Sequence, residues 1–444
     1  MKQKKYNKTS NKKKQSLKKA PETKDIEKTI SVAIKCITEF EEKETPIDDF
    51  LDDYFADNYS IERKRCSSLV FSYFRNKSII DYMVNNSAKK LTKKIRRLLV
   101  IGTTLIHFQE ALHTPVIVDV IVEIAKNKFG RTKGNFVNAV MRTISRYDLA
   151  EIKEKAPKHV LYNLPKFYYT QLLKNYSVNE VIELSKIYHE IPALTLRTKE
   201  TLNDETLKEL ELNSIKLPDW SKNTNFYKVN NAQKLFSSEF LKEGRGYIQD
   251  PSTVMAVSLL DLKGDEKIID LCAAPGGKSI FIAEQLTDKG SLIACDRSER
   301  RLKYLKQNFE TRNFKHTICC LNLLKNENNC PEIDNESFDV VIIDVPCSNT
   351  GVIRHRPDAI WRLSNKSIAK VIELQNSILK AAAKLVKKGG ILLYSTCSIE
   401  KDENHNLIKN FIDNNQETWQ FETELQILPN FDYDGAYGAI VRKK

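Results

Sequence analysis

After Gly244 the chain alternates short apolar runs with amphipathic ones until its end, and this alternation restricts the fold more than any other feature. KIIDLCA, SLIACD, HTICC, FDVVIID and ILLYSTC read as strands. SIFIAEQL, RRLKYLKQNFE and SIAKVIELQNSILKAAAKLV read as helices, with KKGG as the turn before the last strand. Strands joined by crossover helices of this length specify an α/β doubly wound, mainly parallel sheet of the Rossmann type. Such sheets bind ligands at the carboxyl ends of their strands, so the chemistry is sought there.

The first such end is DLCAAPGGKS, Asp270 to Ser279. Gly277-Lys278-Ser279 matches the close of a phosphate-binding P-loop, but the glycine that must open that loop falls at Cys272. A Rossmann-type turn fits better: its glycines let the backbone approach a cofactor, and an acid about 20 residues on binds ribose hydroxyls. Asp296 closes SLIACD nineteen residues after Gly277 and fills that role. The full Gly-x-Gly-x-x-Gly of a nicotinamide site is missing, and a glycine turn with a ribose acid suits S-adenosylmethionine, which carries adenosine without phosphate. The competing reading is a tight turn with no ligand.

Two further strand ends carry thiols, Cys347 in Asp344-Val345-Pro346-Cys347 and Cys397 in Thr396-Cys397. A thiolate attacks electron-poor ring carbons, and IEKDENHNLIKNFI is read as a helix starting directly after Cys397, whose N-terminus would favour that thiolate. Cytosine C5 is too weak a nucleophile to take a methyl group unaided. Thiolate addition at C6 turns C5 into an enamine-like carbanion; once C5 has been methylated and has lost its proton, the thiol is eliminated. One thiol attacks and the second can assist release, and the residues alone leave the order open.

Upstream, 444 residues are too many for one compact core. Residues 25 to 148 show helical spacing throughout, as in SLVFSYFRNKSIIDYMV and IRRLLVIGTTLIHFQEAL, and read as an all-α domain. Residues 149 to 242 mix helical runs with a β-like ALTLRTK and read as a small α+β connector, leaving 243 to 444 for the sheet domain. Residues 1 to 24 hold ten lysines against one glutamate, nine of the thirteen net positive charges. So basic and apolar-poor an arm is expected to be disordered, either as a solubilising tail or as a contact for RNA phosphates. The nine cysteines, with no Cys-x-x-Cys pair and no zinc spacing, predict unbridged thiols, a reduced cytoplasmic setting and no metal. No apolar run reaches membrane-spanning length.

DLCAAPGGKS, DVPCSNTGVIRHRPDAIWR, YSTCSIEKDEN and the lead-in YIQDPST together resemble the RNA (cytosine-5) methyltransferases of the Sun and nucleolar-protein type, in particular their bacterial branch that methylates small-subunit (16S) ribosomal RNA. Residues 25 to 147, ending in RTKGNFVNAVMR, resemble the NusB-like RNA-binding domain that precedes the catalytic domain there. The resemblance implies that Cys397 attacks and Cys347 assists release. It implies cofactor contacts at Cys272, Ala273, Ala274, Pro275, Gly276, Gly277 and Lys278, at Asp296 for the ribose, and at Asp344 within reach of the target base. Arg301 falls where many members keep a basic residue. The family's usual adenine-binding Asp is Asn322 here, a neutral and weaker acceptor, and its Asp-Gly-Phe-Phe is Asp434-Gly435-Ala436-Tyr437, a change that bears on the packing of the last strands.

Arg354 and Arg356 stand seven and nine residues beyond Cys347 and are read as contacts to RNA phosphates; Trp361 is read either as a base-stacking aromatic or as core packing. The expected protein is therefore a monomeric enzyme acting on ribosomal RNA with S-adenosylmethionine. The alternatives are methylation of transfer RNA or large-subunit RNA, or an inert RNA-binding assembly factor.

Overall fold

The computed structural model describes residues 21–56, 61–109, 113–221, 224–325, 327–328, 330 and 333–444. It divides into two compact units, residues 1–73 with 80–152, and residues 74–79 with 153–444. The lysine-rich arm lies outside the described residues as far as residue 20, whereas Pro21–Lys24, assigned to it from sequence, open the first helix.

The first unit is helical: α1 (Pro21–Lys43), α2 (Ile47–Tyr54), α3 (Ile61–Arg75), α4 (Lys77–Ser87), α5 (Lys93–His107), α6 (Thr114–Phe129) and α7 (Arg131–Ile144), except that residues 74–79, the end of α3 and the start of α4, belong to the second unit. The run apolar on more than one face is α5, buried from Leu98 to Leu105. Its Gly102 allows the close approach of α7, because a Cβ there would lie 2.7 Å from Met141 Cε. Thr103 and Thr104 enter this core by donating their hydroxyls to Leu99 and Val100 carbonyls at 2.8 and 2.7 Å. Buried Arg97 is paired with Glu41 and Glu42 of α1 at 2.8 and 2.9 Å.

The second unit holds two sheets. A four-stranded sheet orders β1 (Thr195–Thr198), β2 (Leu212–Ser214), β3 (Asn225–Val229) and β4 (Gly246–Ile248) as β2-β3-β1-β4. The α+β expectation for the connector holds, but its last strand lies beyond the expected boundary at 242, and the connector shares one compact unit with the larger sheet.

That sheet contains β5 (Lys267–Asp270), β6 (Ser291–Asp296), β7 (Thr317–Asn322), β8 (Glu327–Asn328), β9 (Phe338–Asp344), β10 (Val386–Thr396), β11 (Trp419–Ile427) and β12 (Ala436–Lys443), in the order β11-β12-β10-β9-β5-β6-β7-β8. The run β10-β9-β5-β6-β7 is parallel, as the strand and helix alternation predicts. KKGG is not a turn. It lies inside β10 as a bulge, with a register shift between Val386 and Ile391 and Gly389 at φ +76°. Ala436 and Tyr437 continue β12 in register with β11 and are buried, so the departure from Phe-Phe leaves the last strands paired.

One bridge departs from the sequence expectation. Cys319, within β7, and Cys330 form a disulfide, their Cα atoms 5.7 Å apart, whereas Cys347 and Cys397 are unbridged.

Arg354 corrects a second expectation. Its side chain is only 3% exposed, with Nε and Nη2 at 3.0 and 2.8 Å from Asp434 Oδ1 and Nη1 at 3.2 Å from the Phe431 carbonyl. A guanidinium so enclosed ties the loop after Cys347 to the C-terminal segment and does not present itself to a phosphate. Trp361 is likewise packed: its Nε1 donates to the Phe74 carbonyl at 3.3 Å, and Lys77 Nζ lies 4.6 Å from its ring centroid, all within the second unit. Arg356 is exposed.

The helices Lys166–Asn175 and Val178–His189 of the connector brace the loops that follow β9 and β10. Tyr188 Oη donates to the Thr350 carbonyl at 3.3 Å and Tyr176 Oη to the Ile399 carbonyl at 2.6 Å, over an apolar cluster of Leu164, Tyr168, Leu172, Leu184, Ile353 and Ile399. Beneath them Glu400 is 5% exposed, and its Oε1 has no hydrogen-bond partner among the described residues. Burial first, then the nearby Glu403 charge, push the Glu400 carboxyl up to about 7.

Two outcomes are expected. The folded-state value of Glu400 is raised above its ordinary 4.5, so its ionisation costs stability as pH rises between those values and in full above about 7. Glu400→Gln should therefore raise stability at pH 8 by on the order of 2 kcal/mol and change it little at pH 4, read from melting curves at the two pH values; an equal effect at both would show that folding does not shift this carboxyl. Arg354→Ala, which leaves buried Asp434 with His355 as its remaining ion-pair partner at 3.2 Å, should cost about 3 kcal/mol in urea unfolding. Exposed Arg356→Ala should cost less, about 1 kcal/mol or under, and equal losses would contradict the buried pairing.

Candidate active site

Parallel pairing of β9 with β10, with Asp344 opposite Ser395, brings the two thiol-bearing strand ends side by side. Cys347 Sγ and Cys397 Sγ lie 3.0 Å apart, in hydrogen-bonding contact. Two cysteines fifty residues apart in sequence thus form one dithiol at the carboxyl edge of the sheet.

A buried polar lattice fixes this contact. Glu403, fully buried, accepts from Ser348 N and Gln375 Nε2 through Oε2, both at 2.9 Å, and from Ser398 Oγ through Oε1 at 2.9 Å. It therefore grips the residue after each cysteine. Gln375 Nε2 also donates to the Pro346 carbonyl at 3.0 Å, and Ile399 N donates to Thr350 Oγ1 at 3.0 Å. Gly351 N donates to the Cys397 carbonyl at 2.9 Å, and a Cβ at Gly351 would strike the Cys397 and Gly435 carbonyls, so only glycine lets the loops meet here.

The two thiols differ in environment. The hydrogen bond to Cys397, then burial, push the Cys347 thiol well above its ordinary range, so Cys347 is held protonated. The sequence expectation of a helix N-terminus at Cys397 is corrected: turns occupy 401–404 and the helix is His405–Asp413, capped at Asn404. The positive charge comes instead from Lys278. Burial opposes that charge, but Asp344, paired at 2.8 Å, outweighs it and holds the amine above its usual range, with Cys397 among its neighbours. Asp344 in turn accepts from Ser395 Oγ at 2.7 Å.

The glycine turn lies on β5, next to β9 in the sheet. Gly276 has φ +118°, and a Cβ there would lie 2.7 Å from Leu305 Cδ1; one on Gly277 would lie 2.8 Å from Gln249 Nε2. Ala273 N donates to the Cys295 carbonyl at 2.8 Å, and Arg301 bridges the Ala274 carbonyl and Asp296, the latter at 3.2 Å. Asp270 accepts from Ser279 Oγ at 2.6 Å, and burial pushes its carboxyl up to about 6. Burial also pushes the Cys272 thiol up. Asp296 ends β6 and Asn322 ends β7, on the same carboxyl edge as the turn. A turn whose Gly276 takes a backbone form that side-chain-bearing residues rarely adopt, with an acid at the next strand end, fits an adenosine-bearing cofactor.

Cys272 to Lys278, Asp296, Asn322, Asp344, Cys347 and Cys397 thus share one edge, and Arg354 does not join them as a surface cation. Sequence reasoning did not single out Asn349, Gln375 or Glu403. Asn349 and Glu403 lie within CSNTG and YSTCSIEKDEN, but only the fold shows what their side chains reach.

Residues 257–434 match the family model for 16S rRNA methyltransferase RsmB/F, and residues 28–146 that of the NusB family. The chain is 30% identical over 410 residues to the probable ribosomal RNA small subunit methyltransferase B of Bacillus subtilis, covering 85% of this chain and 90% of that protein. It is 28% identical to the ribosomal RNA small subunit methyltransferase B of Photorhabdus laumondii, covering 82% and 86%. In fold it is similar to the crystal structure of PH0851, with TM-score 0.71 and 22% identity over 94% of this chain and 98% of that one. It is also similar to NSun6 from Pyrococcus horikoshii with SFG, with TM-score 0.53 and 20% identity over 63% and 98%. A NusB domain followed by a methyltransferase sheet, matched along most of its length by such relatives, shows that this chain belongs to the RsmB/F family of 16S rRNA methyltransferases.

Proposed function

We propose that this protein methylates C5 of a cytosine in small-subunit ribosomal RNA, with Cys397 as the attacking sulfur and Cys347 as the group that assists its departure. The observation that carries this reading is the 3.0 Å contact between the two sulfurs beside the Lys278–Asp344 pair. Cys272 to Lys278 and Asp296 would hold S-adenosylmethionine, with Asn322 and Asp344 completing its contacts. S-adenosylmethionine, when bound, supplies an electrophilic methyl group.

The protein's own residues do the rest. Attack of Cys397 Sγ on C6 forms an S–C6 bond and moves the ring's C5–C6 π electrons to C5, which becomes the nucleophile. In the second half C5 gives up its proton to solvent or a neighbouring base, those electrons restore the double bond, and the S–C6 bond breaks. Cys347, held protonated by its hydrogen bond to Cys397 and by burial, is placed to hand a proton to the departing sulfur. Lys278 supplies the positive charge that an attacking thiolate needs, and Asp344 keeps that amine charged and oriented. Addition at C6 requires the open ring face, so the target base must leave its stack or lie in a loop. Among the described residues no helix is long and apolar enough to cross a membrane.

The test uses unmodified small-subunit RNA, labelled S-adenosylmethionine and denaturing gels. Cys397→Ala should lose methyl transfer by at least about a thousandfold and form no covalent protein–RNA band. Cys347→Ala should accumulate that band while turnover falls. The reverse pattern would exchange the two roles, and full activity in both variants would end the dithiol reading.

A further inference from the structure

Asn349 is one of the residues through which the two thiol loops touch by side chain, beside the sulfur contact itself. Its backbone lies at φ +61°, in the left-handed region that asparagine tolerates better than most side-chain-bearing residues. From there the amide reaches both cysteines: Nδ2 donates to the Cys347 carbonyl at 3.0 Å, and Oδ1 lies 3.4 Å from Cys397 Sγ. The first bond fixes the orientation of the amide, since a flipped group would set two oxygens against each other. Oδ1 is therefore the atom presented to sulfur, and an oxygen can accept from S–H but repels S⁻.

We propose that Asn349 is a positioning residue that holds the attacking sulfur as a thiol, in line with Cys347, until the base is in place. This rests on Cys397 being the attacking sulfur. The groups acting on that sulfur are then opposed. Lys278, paired with Asp344, favours the thiolate; Asn349 Oδ1 favours the thiol; Cys347 lies at 3.0 Å as a hydrogen-bond partner, with the buried charge of Glu403 behind it. When the S–H···Oδ1 bond breaks, the thiol gives its proton to solvent, and the sulfur becomes nucleophilic beside the charged Lys278. The resting pair is thus kept quiet by a neutral side chain that leaves no charge behind.

The test needs neither RNA nor cofactor. The full chain is alkylated with iodoacetamide across a range of pH, and peptide mass mapping reads Cys397 separately from Cys347. Asn349→Gly keeps the left-handed backbone and removes the amide, so half-maximal alkylation of Cys397 should move to lower pH, with a rate at pH 7 raised about threefold to tenfold. Asn349→Asp keeps the shape but presents a carboxylate, and should move the same midpoint to higher pH; it also serves if the glycine variant folds poorly. An unchanged midpoint in the glycine variant, or a rate raised equally at every pH, would overturn the proposal by reducing Asn349 to a steric cover. Loss of the nucleophile assignment would show elsewhere, as methyl transfer surviving in Cys397→Ala, and would leave the alkylation profile readable.

Discussion

A single van der Waals to hydrogen-bond contact between two sulfur atoms organises the catalytic end of this protein. It exists because β9 and β10 are adjacent and parallel, so both chains leave the sheet at the same edge and the residues just past Asp344 and Thr396 converge. In a parallel sheet such strands are joined by a crossover helix, here the 19 residues Asn365–Ala383 with a loop on either side. The distance in sequence between Cys347 and Cys397 is therefore the length of one crossover unit, and the fold turns it into one hydrogen-bond length.

Keeping two loops in such register costs conformational entropy, and the chain offsets it with a buried polar lattice. Glu403 is an unusual choice for its centre: a fully buried carboxylate that accepts from a backbone amide, a side-chain amide and a hydroxyl. Donors of this kind leave the local field negative, which suits a neighbouring thiol that must keep its proton, as Cys347 does. On the other side of the pair Lys278 supplies the opposite field. The dithiol thus sits across an electrostatic gradient, with Cys347 on the acidic side and Cys397 toward the ammonium.

The parallel strands were legible because apolar runs bounded by turn residues have few other uses, and the carboxyl-edge rule then located the glycine turn, Asp296, Asp344 and both cysteines. What escaped had partners remote in sequence or a backbone form that composition does not encode. Arg354-His355-Arg356 reads as a basic patch until Asp434, eighty residues on, takes the first guanidinium into the interior. KKGG reads as a turn, yet Gly389 and Gly390 bulge within β10 instead. The helix after Cys397 starts late because the segment first makes turns that bring Glu403 and Asn404 back under the thiol loop, Asn404 accepting from Thr396 Oγ1 at 2.7 Å. Asn349 and Glu403 stood in plain view within the motifs, but nothing in spacing says which way an amide or carboxylate points. The Cys319–Cys330 bridge, closed across the edge of the sheet, was equally invisible to cysteine counting.

The most direct measurement is to present the unaltered protein, with S-adenosylmethionine, to small-subunit RNA carrying 5-fluorocytidine. Fluorine at C5 cannot leave as a proton, so the sulfur that adds at C6 stays bound, and digestion followed by mass spectrometry identifies it. Attachment of the nucleotide to the peptide bearing Cys397 is the predicted result. Attachment at Cys347, or a protein that binds the RNA and yields no attached nucleotide, would contradict the account.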